Sequence, residues 1–170
     1  ESYVDGLRRV RARLAQYGPE GRVANGTLYL KRPRRMRLEY DAENSPLMVA
    51  DGYRIVYYDP TMDQVDSFDF NDTPAGILLK EDIDLDGSAI TVTDMTVEPD
   101  RVTVSLIHAR DPGAGTLTLL FDRDPLEIVG WRVLDAQGKE TLVRIRELET
   151  GVSLDPELFD FTNPLLGDRG

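Results

Sequence analysis

Met36, Leu38 and Tyr40 alternate with Arg35, Arg37 and Glu39, a two-residue rhythm that predicts a strand with one apolar and one charged face. The rhythm returns in Val102, Val104 and Leu106, and again in Leu117, Leu119 and Phe121. It continues through Ile128 to Leu134 and Thr141 to Leu148, with Gln137-Gly138 as the turn between these two runs. These segments predict an antiparallel meander. Leu47 to Asp59 carries Asp51-Gly52 between two apolar stretches and predicts a hairpin with a type I′ turn, in which both central residues have positive φ.

Elsewhere the period is helical. Tyr3, Leu7, Val10 and Leu14 fall at spacings of four, three and four, which predicts an amphipathic helix with Arg8, Arg9, Arg11 and Arg13 pointing largely elsewhere. Gly18-Pro19-Glu20-Gly21 marks the turn into the strands. Asp72-Thr73-Pro74 predicts a helix start, followed by a short apolar helix over Ile77, Leu78 and Leu79. Asp155-Pro156 predicts a second start near the C-terminus, and Asn163-Pro164 a break after it. No repeat, low-complexity tract or long linker divides the chain, so residues 1–170 are expected to form a single domain. Hairpin-linked strands with isolated helices predict a mainly β fold. Its sheet curves strongly, with helices over the concave face and room for an apolar ligand between.

Composition narrows the function. With 41% apolar and 30% charged residues the chain suits a folded, water-facing domain. Subtracting 31 acidic from 20 basic side chains leaves a net charge of -11, which argues against nucleic acid as a partner. The absence of Cys removes disulfides and thiolate chemistry, and the single His108, inside an alternating strand, has no second ligand for a metal. There is no nucleophile elbow, phosphate-binding loop or dinucleotide fingerprint, so no enzyme activity, cofactor or metal is expected.

Two motifs invite sharper readings. Lys31-Arg32-Pro33-Arg34-Arg35-Met36-Arg37 is a basic run suited to an anionic lipid surface or a carboxylate-rich partner, or simply to a solvated strand edge. Asp82, Asp84 and Asp86 with Gly87 have the spacing of half a calcium loop, but Thr93 stands where its closing Glu belongs. A turn with solvated carboxylates is the simpler reading.

Taken in order, Gly26-Thr27-Leu28-Tyr29-Leu30-Lys31-Arg32-Pro33, Met36-Arg37-Leu38-Glu39-Tyr40, Asp51-Gly52 before Tyr57-Tyr58-Asp59-Pro60, and Asp72-Thr73-Pro74 before Leu78-Leu79 resemble the LolA family of periplasmic lipoprotein carriers. The resemblance runs from the N-terminal segment to about Phe161. It implies an incomplete antiparallel barrel of about eleven strands, with helices forming a lid over an apolar cavity for lipoprotein acyl chains. The arginine of the Lys-Arg-Pro motif, Arg32 here, is implied to latch the lid through hydrogen bonds to lid backbone. Met36, Leu38 and Tyr40 are implied to face the cavity, although the best-known members carry aromatics where Met36 and Leu38 stand. The expected acyl-chain cavity further takes in Leu28, Leu30, Ile77, Leu78, Leu119, Phe121 and Trp131.

The resemblance also implies partners: acylated lipoproteins, an inner-membrane lipoprotein-releasing ABC transporter and, where one exists, an outer-membrane lipoprotein receptor. A monomer in the periplasm is expected, with any targeting peptide lying outside this chain. The alternative function is a sensor or anchor domain of the same fold, which binds a partner protein or a diffusible lipid and carries nothing between membranes.

Overall fold

The computed structural model describes residues 2–166. It contains one sheet of eleven antiparallel strands: β1 (Arg9–Tyr17), β2 (Val23–Lys31), β3 (Arg35–Tyr40), β4 (Leu47–Asp51), β5 (Ile55–Asp59), β6 (Gln64–Phe68), β7 (Ile90–Val97), β8 (Arg101–His108), β9 (Gly115–Arg123), β10 (Leu126–Asp135) and β11 (Glu140–Thr150). Strands consecutive in sequence pair, except β6 and β7, and β1 pairs with β11 at the centre, so the order is β6-β5-β4-β3-β2-β1-β11-β10-β9-β8-β7. Antiparallel partners joined by short turns give this meander directly. The outer edges, β6 and β7, do not pair, and the barrel therefore stays open along that seam.

The segment from β6 to β7 crosses the opening. Within it Pro74–Leu79 forms a short 3₁₀ helix packed on β8, β9 and β10. Ile77 joins the core built by Leu106, Leu117 and Leu119, whereas Leu79 joins the core built by Val10, Leu28 and Leu30. One short helix thus bridges the two halves of the concave face. The C-terminal 3₁₀ turn Pro156–Phe159 packs instead on β3 and β4, with Phe159 buried. Asp155 accepts from the Glu157 N–H there, as its Asp-Pro start predicts.

Several local expectations need correction. Tyr3, Leu7, Val10 and Leu14 do not share a helix: only α1 (Ser2–Asp5) is helical, and Arg9–Tyr17 is a strand. The same residues also carry a period of two, Val10, Ala12 and Leu14 against Arg9, Arg11 and Arg13. Pairing with β2 on one side and β11 on the other selects that period. Asp72 does not cap Pro74–Leu79; its carboxylate accepts from the Asp69 N–H in a capping box around Phe70–Asp72. At Asp51-Gly52 the hairpin forms, but only Gly52 has positive φ (102°), so the turn is not type I′. Asn163-Pro164 opens a further 3₁₀ turn, Pro164–Leu166, rather than ending structure.

Bulges and close approaches lie within and beside the central pair. Register shifts lie between Ile128 and Gly130 on β10 and opposite Arg13/Leu14 on β11. Each inserts a residue, bends its strand and swaps which residues face inward. A side chain at Gly26 would run into the Glu39 carbonyl, and one at Gly130 into that of Val143. Gly130→Val is therefore expected to destabilise the protein by about 1–3 kcal/mol, measured by chemical denaturation. Gly138→Ala, at a turn with open space around it, should cost less despite its φ of 79°.

Candidate functional site

The concave face is apolar because β1, β2 and β3 turn their alternating apolar residues towards it. Its side chains do not fill the space: a cavity of about 800 Å³ remains between the sheet and the crossing segment. Leu28 and Leu30 on β2, Met36, Leu38 and Tyr40 on β3, Leu78 on the 3₁₀ helix and Trp131 on β10 all line it. Ile77, Leu119 and Phe121 do not. Ile77 is fully buried in the core beneath the helix, and Leu119 and Phe121 border a separate pocket of about 160 Å³ with Tyr3, Ile83 and Leu106. The inward side chains of β9 are instead packed in a core cluster with Ile77 of the crossing helix.

Sequence reasoning also missed part of the lining. Val10 and Ala12 of β1, Met48 of β4 and Val143, Ile145 and Leu148 of β11 all face the cavity. The alternation Val10, Ala12, Leu14 was a signal for the first two. For β11 the bulge breaks parity between Ile145 and Leu148, which hides the inward set from any fixed period.

Arg32, at the end of β2, is 6% exposed. Its guanidinium donates to the Val4 carbonyl at 2.5 Å and to the Lys80 carbonyl at 2.8 and 3.1 Å, with Asp5 3.9 Å away. Burial pushes it below the ordinary arginine value, and Asp5 counters that. A buried cation needs such partners, and the rigid fork of donors supplies two carbonyls from different segments at once. Around it Asp5 accepts from the Ile83 N–H at 2.9 Å, and Arg8 donates to the Glu81 carbonyl and to Asp82. The backbone adds Arg34 N–H to the Leu79 carbonyl at 2.8 Å. Helix α1, the start of β1 and residues 79–83 are thereby tied to the β2–β3 turn.

The other candidates find ordinary roles. Asp82 pairs with Arg8 while Ile83 is buried, an arrangement suited to a turn. His108 is buried with Nε2 2.9 Å from the Thr73 carbonyl, so it anchors the entry to the 3₁₀ helix. Arg34 lies over the Phe70 ring at 5.8 Å, Arg37 contacts Glu39 and the Leu158 carbonyl, and Arg35 is exposed. Among the described residues no group of His, Asp and Glu side chains could hold a metal ion, and no helix is long and apolar enough to cross a membrane.

The family described as "Outer membrane lipoprotein carrier protein LolA" matches residues 6–162. The chain belongs to the LolA family. Among relatives named outer-membrane lipoprotein carrier protein, that of Methylococcus capsulatus is 27% identical over 173 residues, covering 96% of this chain and 82% of the relative. That of Alkalilimnicola ehrlichii is 29% identical over 171 residues, covering 95% and 77%. Among solved structures, a LolA superfamily protein from Nitrosomonas europaea superposes with a TM-score of 0.51 at 9% identity over 94% of this chain and 95% of its own. A DUF1329 family protein from Desulfovibrio piger gives 0.56 at 11% identity, covering 94% and 92%. At these identities the structures establish the shared LolA-type fold alone.

Two outcomes follow from the geometry. Arg32→Leu preserves bulk but removes the donors to Val4 and Lys80, each loss costing about 1–3 kcal/mol. The Lys80 and Ile83 amides are expected to exchange with solvent faster while the amides of β1 and β11 keep their protection. Burial pushes the Tyr40 phenol up to about 12. Its folded value lies above its unfolded one, so its contribution to stability is present at neutral pH and fades as pH rises from about 10 towards 12. Tyr40→Phe should remove a phenol that ionises near pH 12 in an ultraviolet titration.

Proposed function

We propose that this chain, as one carrier unit over residues 1–170, takes up the acyl chains of lipoproteins in the periplasm. It receives them from an inner-membrane lipoprotein-releasing ABC transporter and delivers them to the outer membrane, to a lipoprotein receptor where one exists. The observation that carries this reading is an open apolar cavity of about 800 Å³, within the range of roughly 300–1,000 Å³ usual for ligand sites, under a segment held by a few hydrogen bonds. Family membership supports it independently.

The mechanism is physical rather than chemical. Each methylene withdrawn from water is worth about 0.8 kcal/mol, so a lipoprotein with two or three long chains is strongly held by membranes and needs an apolar host to cross an aqueous space. Leu28, Leu30, Met36, Leu38, Leu78 and Trp131 supply that host. Arg32 serves as the latch: while its bonds to Val4 and Lys80 hold, the crossing segment covers the cavity, and cargo that lifts the segment exchanges those bonds for buried chain. Such a carrier works as a monomer and catalyses no reaction.

Native mass spectrometry with a triacylated lipopeptide tests the reading, with the unacylated peptide as control. A one-to-one complex that needs the acyl chains and weakens at least tenfold in Met36→Glu or Leu38→Glu is expected, since a charge there would be buried against the chains. Arg32→Leu should also slow the passage of bound lipopeptide to acceptor membranes. If the folded protein forms no acyl-dependent complex, the carrier reading fails and a sensor that binds another ligand takes its place.

A further inference from the structure

The cavity is not uniformly apolar. Six residues beyond Val10 on β1, roughly 20 Å along the strand, Gln16 turns its side chain into the same space. The Tyr40 hydroxyl donates to Gln16 Oε1 at 2.7 Å. The two residues belong to β1 and β3, with β2 between them. At the intervening position stands Gly26, paired with Leu14 on one side and Tyr40 on the other. A side chain there would press on the β3 backbone at Glu39 and Tyr40, and its absence lets β3 lie close enough for the tyrosine to reach across a whole strand. The pair is therefore built by the sheet rather than met by chance.

Among the described residues the carboxamide Nε2 of Gln16 has no hydrogen-bond partner, yet no buried side-chain nitrogen or oxygen is left unpaired, so this donor keeps accessible surface on a side chain that lines the cavity. The phenol stays protonated at any physiological pH because burial holds its ionisation near 12. The position matters as much as the chemistry. Towards Arg32 the lining is Val10, Leu30 and Met36; in the other direction lie the exposed Glu20, Arg22 and Lys139 at the mouth. The pair stands between the apolar interior and the charged mouth.

We propose that Gln16 and Tyr40 form a subsite for the ester carbonyls of a diacylglyceryl group, with Gln16 Nε2–H as the donor and the Tyr40 hydroxyl fixing the carboxamide. This rests on the carrier reading, and it sets the direction of the cargo: chain ends towards Arg32, glyceryl linkage at Gln16, polar head at the mouth. Both lipoproteins and phospholipids present such esters, so the shared chemistry defines the site.

The test compares ester-linked and ether-linked forms of a diacylglyceryl lipopeptide, and the same pair of phosphatidylethanolamines. Binding is read from emission of the single tryptophan, Trp131, which lines the cavity. An ether lacks the carbonyl. One or two hydrogen bonds predict about fivefold tighter binding of the ester form, and a ratio near one in Gln16→Leu and in Tyr40→Phe. An ester preference confined to one pair identifies which lipid supplies the group. Equal binding of ester and ether forms by the unaltered protein, or a preference that survives both substitutions, overturns the subsite while leaving the carrier reading intact. Phospholipid bound with ester preference and no lipopeptide bound in either form keeps the subsite and overturns the carrier reading. If neither lipid pair binds, both fall.

Discussion

A guanidinium can leave water only if its donors are met, and Arg32 meets that condition with carbonyls that are far apart in sequence, Val4 and Lys80. The placement of the crossing segment at this end of the cavity depends on this. Residues 79–83 have few regular backbone bonds, and α1 is a single short turn; neither would hold its place through local structure. Both are positioned because a buried cation at the end of β2 needs them. Asp5 and Arg8 reinforce the same junction from the N-terminal side. An interaction of this kind is strong while complete and poor once one partner departs, which suits a closure that has two states.

The space beneath follows from the sheet. Eleven strands bent by bulges on β10 and β11 enclose more volume than their inward side chains occupy, and the missing pairing between β6 and β7 leaves a seam through which the enclosure stays accessible. Ile77 and Leu79 anchor the crossing helix into separate parts of the core, so it spans the gap without filling it. The outer face is handled differently. Arg11 with Glu149 and Arg13 with Asp41 pair along the convex surface, keeping the strands soluble and adding little to stability.

The legible and hidden parts of this structure divide along physical lines. Strand β3 was readable because Met36, Leu38 and Tyr40 alternate without interruption, and Arg32 was conspicuous because the family resemblance singles out the Lys-Arg-Pro motif. The first segment was misread because Tyr3, Leu7, Val10 and Leu14 satisfy a helical spacing while Val10, Ala12 and Leu14 satisfy a strand spacing; only long-range pairing with β2 and β11 decides between them. Leu119 and Phe121 alternate as well as any residues in the chain, yet alternation says which face a residue takes and not where along a curved sheet that face points. Gln16 carried no signal at all, since a polar residue inside an apolar enclosure contradicts the pattern used to find the enclosure.

On the carrier reading, acyl chains occupy the space under the Arg32-held segment. Photocrosslinking with a lipopeptide bearing a diazirine within one acyl chain tests it most directly, each labelled residue being located by fragment mass spectrometry. Adducts are expected on cavity-lining residues such as Leu28, Met36, Leu38 and Trp131. Adducts confined to exposed apolar side chains such as Tyr53, Met62, Met95 and Val97, with the cavity unlabelled, would contradict it.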